Sequence, residues 1–139
     1  MRVADIVKKK GTTVVTLPPE SPISELVATL ARYNIGAVVV VEGEEIRGVV
    51  SERDAVRHLT TSTDLGEPIS TIMSTDLAWC GLQDDIRDLA AVMTDRRIRH
   101  VPVVEEGRLL AIVSIGDVVK HRLDELEAER DHLVGYVHG

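Results

Sequence analysis

The sequence predicts an α+β fold, in which two pseudo-symmetric β-α-β-β-α repeats pack as one module and an extended C-terminal helix follows. Three observations predict it. Ile35-Gly-Ala-Val-Val-Val-Val-Glu42 returns as Ile98-Arg-His-Val-Pro-Val-Val-Glu105, and Gly48-Val-Val-Ser-Glu-Arg-Asp54 returns as Ala111-Ile-Val-Ser-Ile-Gly-Asp117, both at an offset of 63. Within each copy the apolar period changes from that of a helix to that of strands. The apolar residues are Val, Leu, Ile and Ala, with no Phe, one Trp and two Tyr, a composition that suits short buried strands beneath helices.

The elements follow in the same order twice. A short extended piece (Thr13–Thr16, then Leu77–Cys80) leads into Pro, Ser and Asp punctuation. A helix is predicted over Ile23–Tyr33, with Ile23, Leu26, Val27 and Leu30 on one face, and over Ile86–Arg96, with Ile86, Leu89, Ala90 and Met93. Ser21 and Asp84 or Asp85 stand where N-caps belong. Two strands follow around a tight turn, Ala37–Val41 with Ile46–Val50, and Val101–Val104 with Leu109–Val113. Pro102 fits the edge or the start of its strand. A second helix opens after Ser51 and after Ser114. The polar stretch Thr60–Glu67 reads as the linker, so residues 1–61 form the first motif and residues 62–139 the second, with the C-terminal helix. A unit of about 55 residues buries too little surface to stand alone, which is why the two are read as sharing a core.

From Asp117 the chain continues as one long helix. Val119, Leu123, Leu126, Leu133 and Val137 form a stripe on it at alternating spacings of four and three, with Arg130 filling one position. Such a stripe is covered either by its own domain or by a second copy of the chain, and a homodimer is the expected partner.

Composition narrows the function classes. A net charge of −7 argues against nucleic acid and against an anionic membrane as partners. A single cysteine, Cys80, allows no internal disulfide and no Cys-rich zinc site, and it reads as a small buried hydrophobe. No apolar run has the length of a signal peptide core or a membrane span, so a cytoplasmic location is expected. His58, His100, His121, His132 and His138 are too scattered to define a metal site, and His121 with Asp124 and Glu125 reads as a solvated helix face. No Ser-His-Asp set, paired carboxylates or P-loop is visible, so no catalytic residue and no catalytic cofactor are expected.

The Gly-Val-Val-Ser-Glu-Arg-Asp54 run after a β-hairpin, together with Ile98-Arg-His-Val-Pro-Val-Val104, resembles the CBS motif, named from cystathionine β-synthase. The similarity spans Val3 to Leu123, and the Ser-Glu-Arg-Asp of the first unit with the Ser-Ile-Gly-Asp-Val-Val-Lys of the second resembles stand-alone bacterial pairs. It implies a regulatory module whose cleft takes an adenine nucleotide (AMP, ADP, ATP or NAD), which acts on an unknown protein target and commonly dimerises. A dimerisation or interaction module without a physiological nucleotide is the alternative.

The chemistry concentrates at the two Ser-x-x-Asp motifs. A hydroxyl at a strand end beside a helix start meets free amides that favour an anion, and an Asp three residues on can accept from two hydroxyls. Ser plus Asp at this spacing therefore suits a phosphate and a ribose, and the resemblance assigns Ser51 and Ser114 to the phosphate and Asp54 and Asp117 to the ribose diol. The same spacing also makes an ordinary helix cap. Arg53 offers unit one a phosphate donor. Arg99-His100, opposite Gly36-Ala37 in the repeat, offers unit two a charge-assisted contact and a titratable one, or else belongs to a solvated basic face with Arg96 and Arg97. On this count unit two is the better anion site. By resemblance, the adenine lies between the leading segment and the first strand of a unit. That points to Val14, Val15, Ile35, Ala37 and Val38 in unit one and to Ala78, Trp79, Ile98 and Val101 in unit two. Trp79 can stack on a base or fill core.

Overall fold

A computed structural model describes residues 1–138, with side chains through Tyr136. The elements run α1 (Val3–Lys10), β1 (Thr16–Leu17), α2 (Ile23–Tyr33), β2 (Ala37–Glu42), β3 (Glu45–Ser51), α3 (Glu52–His58), a 3₁₀ turn (Ile69–Thr71), α4 (Ile86–Arg96), β4 (His100–Glu105), β5 (Arg108–Ser114) and α5 (Ile115–His138). The four predicted helices and all four hairpin strands are present.

The hairpins are matched in detail. β2 pairs antiparallel with β3, and β4 with β5, and the register slips at Val40/Val41 and at Val103/Val104, equivalent places in the repeat. Gly43 supplies the positive φ of the first turn, while Glu106 and Gly107 supply two in the second. Ala37, Val39 and Val49 of the first sheet pack with Leu109 and Ile112 of the second, so the two sheets share an inner core.

The leading strands are shorter than expected and unequal. β1 pairs parallel with β2 through Thr16↔Val39 and Leu17↔Val40. In unit two only Cys80↔Val103 remains. Cys80 N–H donates to Pro102 O at 3.1 Å and Val104 N–H donates to Cys80 O at 2.9 Å. The ladder stops there because Pro102 has no N–H to continue it toward Ala78. Cys80 is buried, and burial, with Asp84 nearby, pushes its thiol up to about 12.

The sequence did not announce α1, which crosses to the other unit. Val3, Ile6 and Val7 are buried with Ile86, Met93 and Val113 of unit two. Ile69 of the 3₁₀ turn, the equivalent of Ile6, is buried with Leu26, Val38 and Val50 of unit one. Each unit is thus closed by the segment that precedes the other. This also explains why Ser21 is not a cap. The α2 N-cap is Pro22, without a side-chain bond, and the amides of Ile23 and Ser24 donate instead to Glu67 O and Leu65 O, both at 2.9 Å. In α4 the capping residue is Asp85, which accepts from Arg87 N–H at 2.7 Å.

Two side chains depart from their expected environment. Val27 is exposed, because α2 buries only Ile23, Leu26 and Leu30. His121 is buried, as is its repeat equivalent His58, whose ring meets Asp64 O at 2.9 Å. On α5, Val119, Leu123, Leu126 and Leu133 are about half exposed, with Leu133 at 58%. Val137 lies outside the described side chains. No helix among the described residues is long and apolar enough to cross a membrane.

Candidate functional site

A cleft of about 500 Å³ opens between the units. One wall is the end of β3 and the start of α3: Ser51, Glu52, Arg53, Asp54 and Arg57. The other wall is the leading segment Ser74–Ala78 (without Thr75) and the passage from α4 into β4: Arg97, Ile98, Arg99 and His100. Ser114 and Gly116 close one side and Gly36 another. The site is therefore composite. Arg99 and His100, expected to serve Ser114 and Asp117 of their own unit, line it together with Ser114 of that unit and with Ser51, Arg53 and Asp54 of the other.

The two readings of Ser-x-x-Asp turn out to be compatible. Ser51 N–H and Oγ–H both donate to Asp54 Oδ2, at 2.8 and 3.0 Å, and Asp54 N–H donates to Ser51 Oγ at 3.3 Å. This capping box uses one carboxylate oxygen. Among the described residues Oδ1 has no hydrogen-bond partner.

Asp117 is differently placed. Its Oδ2 accepts from Ser114 N–H at 2.9 Å and from Lys10 Nζ at 2.7 Å. Lys10 also donates to Ile112 O at 2.9 Å. Although burial alone raises Asp117, Lys10 and the Ser114 amide together hold its carboxyl below the usual carboxylate range. Lys10 is brought there by the crossing of α1, and its repeat equivalent is Met73.

The cleft is basic within an acidic chain. Arg53, Arg57, Arg97 and Arg99 line it against Glu52, Asp54 and Asp76. Asp76 is already paired with Arg96 at 3.1 Å. Arg97 holds the left-handed conformation at the end of α4 (φ 54°), where unit one has Asn34 (φ 51°). That backbone costs a residue with a β-carbon on the order of 1 kcal/mol. His100 is half-buried, and burial first, then Lys10 and Arg99, holds it below the ordinary histidine range. The His100 ring also explains Gly36, where a β-carbon would stand 3.2 Å from Nε2.

Of the residues singled out in the sequence, Ser51, Arg53, Asp54, Ala78, Ile98, Arg99, His100 and Ser114 are brought together in this cleft. Val14, Val15, Ile35, Ala37, Val38 and Val101 pack into or against the core clusters instead. Trp79 is 51% exposed and lies with Glu44, Glu45 and Ile46 in a separate shallow depression beside the hairpin turns. Arg57 and Gly36 were missed, although Arg57 lies one helical turn after Arg53 and shares its face. Arg97 was weighed only as part of a solvated face. No group of His, Cys, Asp or Glu among the described residues could hold a metal ion.

Comparison with known proteins identifies the family and the fold. A family model for the CBS domain matches residues 3–61 and 69–124. A CBS domain-containing protein of Bacillus subtilis is 30% identical over 118 residues, covering 84% of this chain and 84% of its own length. The crystal structure of a CBS-domain containing protein from Agrobacterium tumefaciens is 39% identical with a TM-score of 0.84, covering 88% of this chain and 99% of that one. A CBS domain protein from Pyrobaculum aerophilum, complexed with AMP, is 29% identical with a TM-score of 0.76, covering 84% and 89%. The repeat, the paired hairpins and these matches together make the chain a member of the CBS domain family, with two CBS motifs in tandem.

Proposed function

We propose that this CBS pair is a regulatory sensor that takes an adenine nucleotide in the composite cleft and catalyses nothing itself. One observation carries the reading: a serine, an open carboxylate oxygen and arginines from both units converge on a single cleft with an apolar side. Arg53 and Arg99 hold the phosphate, Asp54 Oδ1 accepts from the ribose diol, and the base lies against Ile98 and Ala78. The interrupted ladder at Pro102 leaves the backbone of Ala78 available to the base. The relative from Pyrobaculum aerophilum, with AMP in its structure, supports the choice of ligand class.

A ligand held by both units ties them together, and a protein target can read that change in rigidity or shape. Thermal unfolding of nucleotide-stripped protein with AMP, ADP, ATP and NAD tests the proposal. Ligand at one hundred times its dissociation constant adds about 2.7 kcal/mol of stability, and no shift with any of the four at millimolar concentration contradicts it.

The half-exposed stripe on α5 favours a second property, a homodimer. Leu123, Leu126 and Leu133 lie on a helix otherwise rich in charge, and burying each against a second copy gains roughly 1–2 kcal/mol. Leu126→Glu with Leu133→Glu is expected to move the light-scattering mass from dimer to monomer. An unchanged dimer mass in the folded double variant would place the interface on the CBS faces instead.

A further inference from the structure

We infer that the cleft selects ligands carrying at least two linked phosphate groups, with Arg57 and Arg97 holding the phosphates beyond the first. The inference rests on the nucleotide reading and specifies its ligand. Four guanidinium groups line one cleft, two on α3 and two flanking Ile98 on the opposite wall. Among the described residues none of the four has an ion-pair partner within 4.0 Å, whereas other arginines of the chain, including Arg47, Arg87, Arg96 and Arg122, do. Of the carboxylates beside them, Asp76 is in an exposed pair with Arg96, Asp54 is bonded to Ser51, and Glu52 completes a set of three against the four arginines.

Arginines in excess of carboxylates along one cleft repel one another, and an anionic ligand relieves that repulsion. A single phosphate is bracketed by two arginines, each in a fork-like contact. Arg53 and Arg99 suffice for it, one from each wall. Arg57 and Arg97 are then left over. Arg57 is displaced from Arg53 by one helical turn, about 6 Å along α3, which matches an anion that extends along the cleft rather than a compact one. Arg97 is held in a left-handed conformation where the other unit has Asn34, the residue type better suited to it. Its guanidinium is the cleft-side gain for that strain.

The test is calorimetric titration of the full chain with adenosine, AMP, ADP, ATP and NAD, all without divalent cations. The wild type is expected to bind ADP and ATP at least about tenfold more tightly than AMP, the effect of one more charge-assisted contact. NAD separates a bridging diphosphate from a terminal one. In Arg57→Ala and in Arg97→Ala the ratio of AMP to ADP dissociation constants is expected to fall toward one. AMP binding as tightly as ADP and ATP in the wild type overturns the inference and leaves the nucleotide reading standing. A ratio that survives in both variants also overturns the assignment of these arginines. Failure of all five compounds to bind removes the nucleotide reading, and this inference with it.

Discussion

Asp54 and Asp117 hold the same place in the repeat, and each accepts its own motif's serine amide, at 2.8 and 2.9 Å. Their surroundings are opposite. Around Asp54 the neighbours are Arg53, Arg57 and, from the far wall, Arg97 and Arg99, all without an internal counter-ion and all facing open space. Around Asp117 the equivalent places hold Gly116, Lys120, Asn34 and Gly36, and Lys10 sits directly on the carboxylate at 2.7 Å. Duplication made two similar frames. Substitution at a few positions then left one open and basic and filled the other with a cation from the chain itself. A fixed internal lysine satisfies Asp117 much as a ligand would, so the comparison teaches that symmetry of backbone does not give symmetry of binding.

The largest expected effect breaks the comparison on its open side. Arg99→Ala removes a charge-assisted phosphate contact, and AMP affinity is expected to fall by about tenfold to a hundredfold. Adenosine lacks the phosphate and should change little. Equal losses for both compounds in calorimetry would show that Arg99 supports the fold of the cleft rather than the anion.

A smaller effect sharpens the other side. Lys10→Met installs the residue that unit one carries at that position, Met73, and uncovers Asp117. The variant is expected to gain a second, weaker nucleotide site, read as a stoichiometry rising from one toward two per chain. Loss of the half-buried ion pair also lowers its stability. Unchanged stoichiometry in a folded variant would mean that the missing arginines, not Lys10, close that side.

The smallest effect is a pH dependence centred on His100, which is faced by Lys10, Arg99, Glu52, Asp117 and the backbone of Gly36. Its folded-state pKa lies below the unfolded value, so between the two the unfolded chain binds the extra proton. Free-protein stability is therefore expected to fall as pH drops below about 6.5. Nucleotide binding should move the other way, because a protonated His100 adds a charge to the cleft. His100→Gln should flatten both trends between about pH 5 and pH 7. Persistence of both in that variant would assign them to another group.

The sequence carried the fold well where the information is local. The apolar faces of Ile23–Tyr33 and Ile86–Arg96 and the turn residues Gly43 and Gly107 each act over a few neighbours, and the 63-residue repeat shows the same local pattern twice. What could not be read is which element meets which. Val3, Ile6 and Val7 are too few to mark an amphipathic helix, and only packing shows that they belong with unit two. Arg99 was rightly singled out as the sharpest difference between the units. Arg99 lines the cleft with the strand-end serines of both units, which the spacing within one repeat does not show. Ala37 and Val38 follow the strand alternation into core, a choice the register of β2 makes and the residue types do not.

The central claim is that one composite cleft, built from both CBS motifs, takes the nucleotide. Calorimetric titration of AMP into the wild-type chain and into Arg53→Ala tests it most directly, because Arg53 belongs to the opposite motif from Arg99. One AMP per chain is expected in the wild type, and in Arg53→Ala a loss of about tenfold or more, of the same kind as for Arg99→Ala. Two equivalent sites per chain, or an Arg53→Ala variant that binds AMP like the wild type, would contradict it.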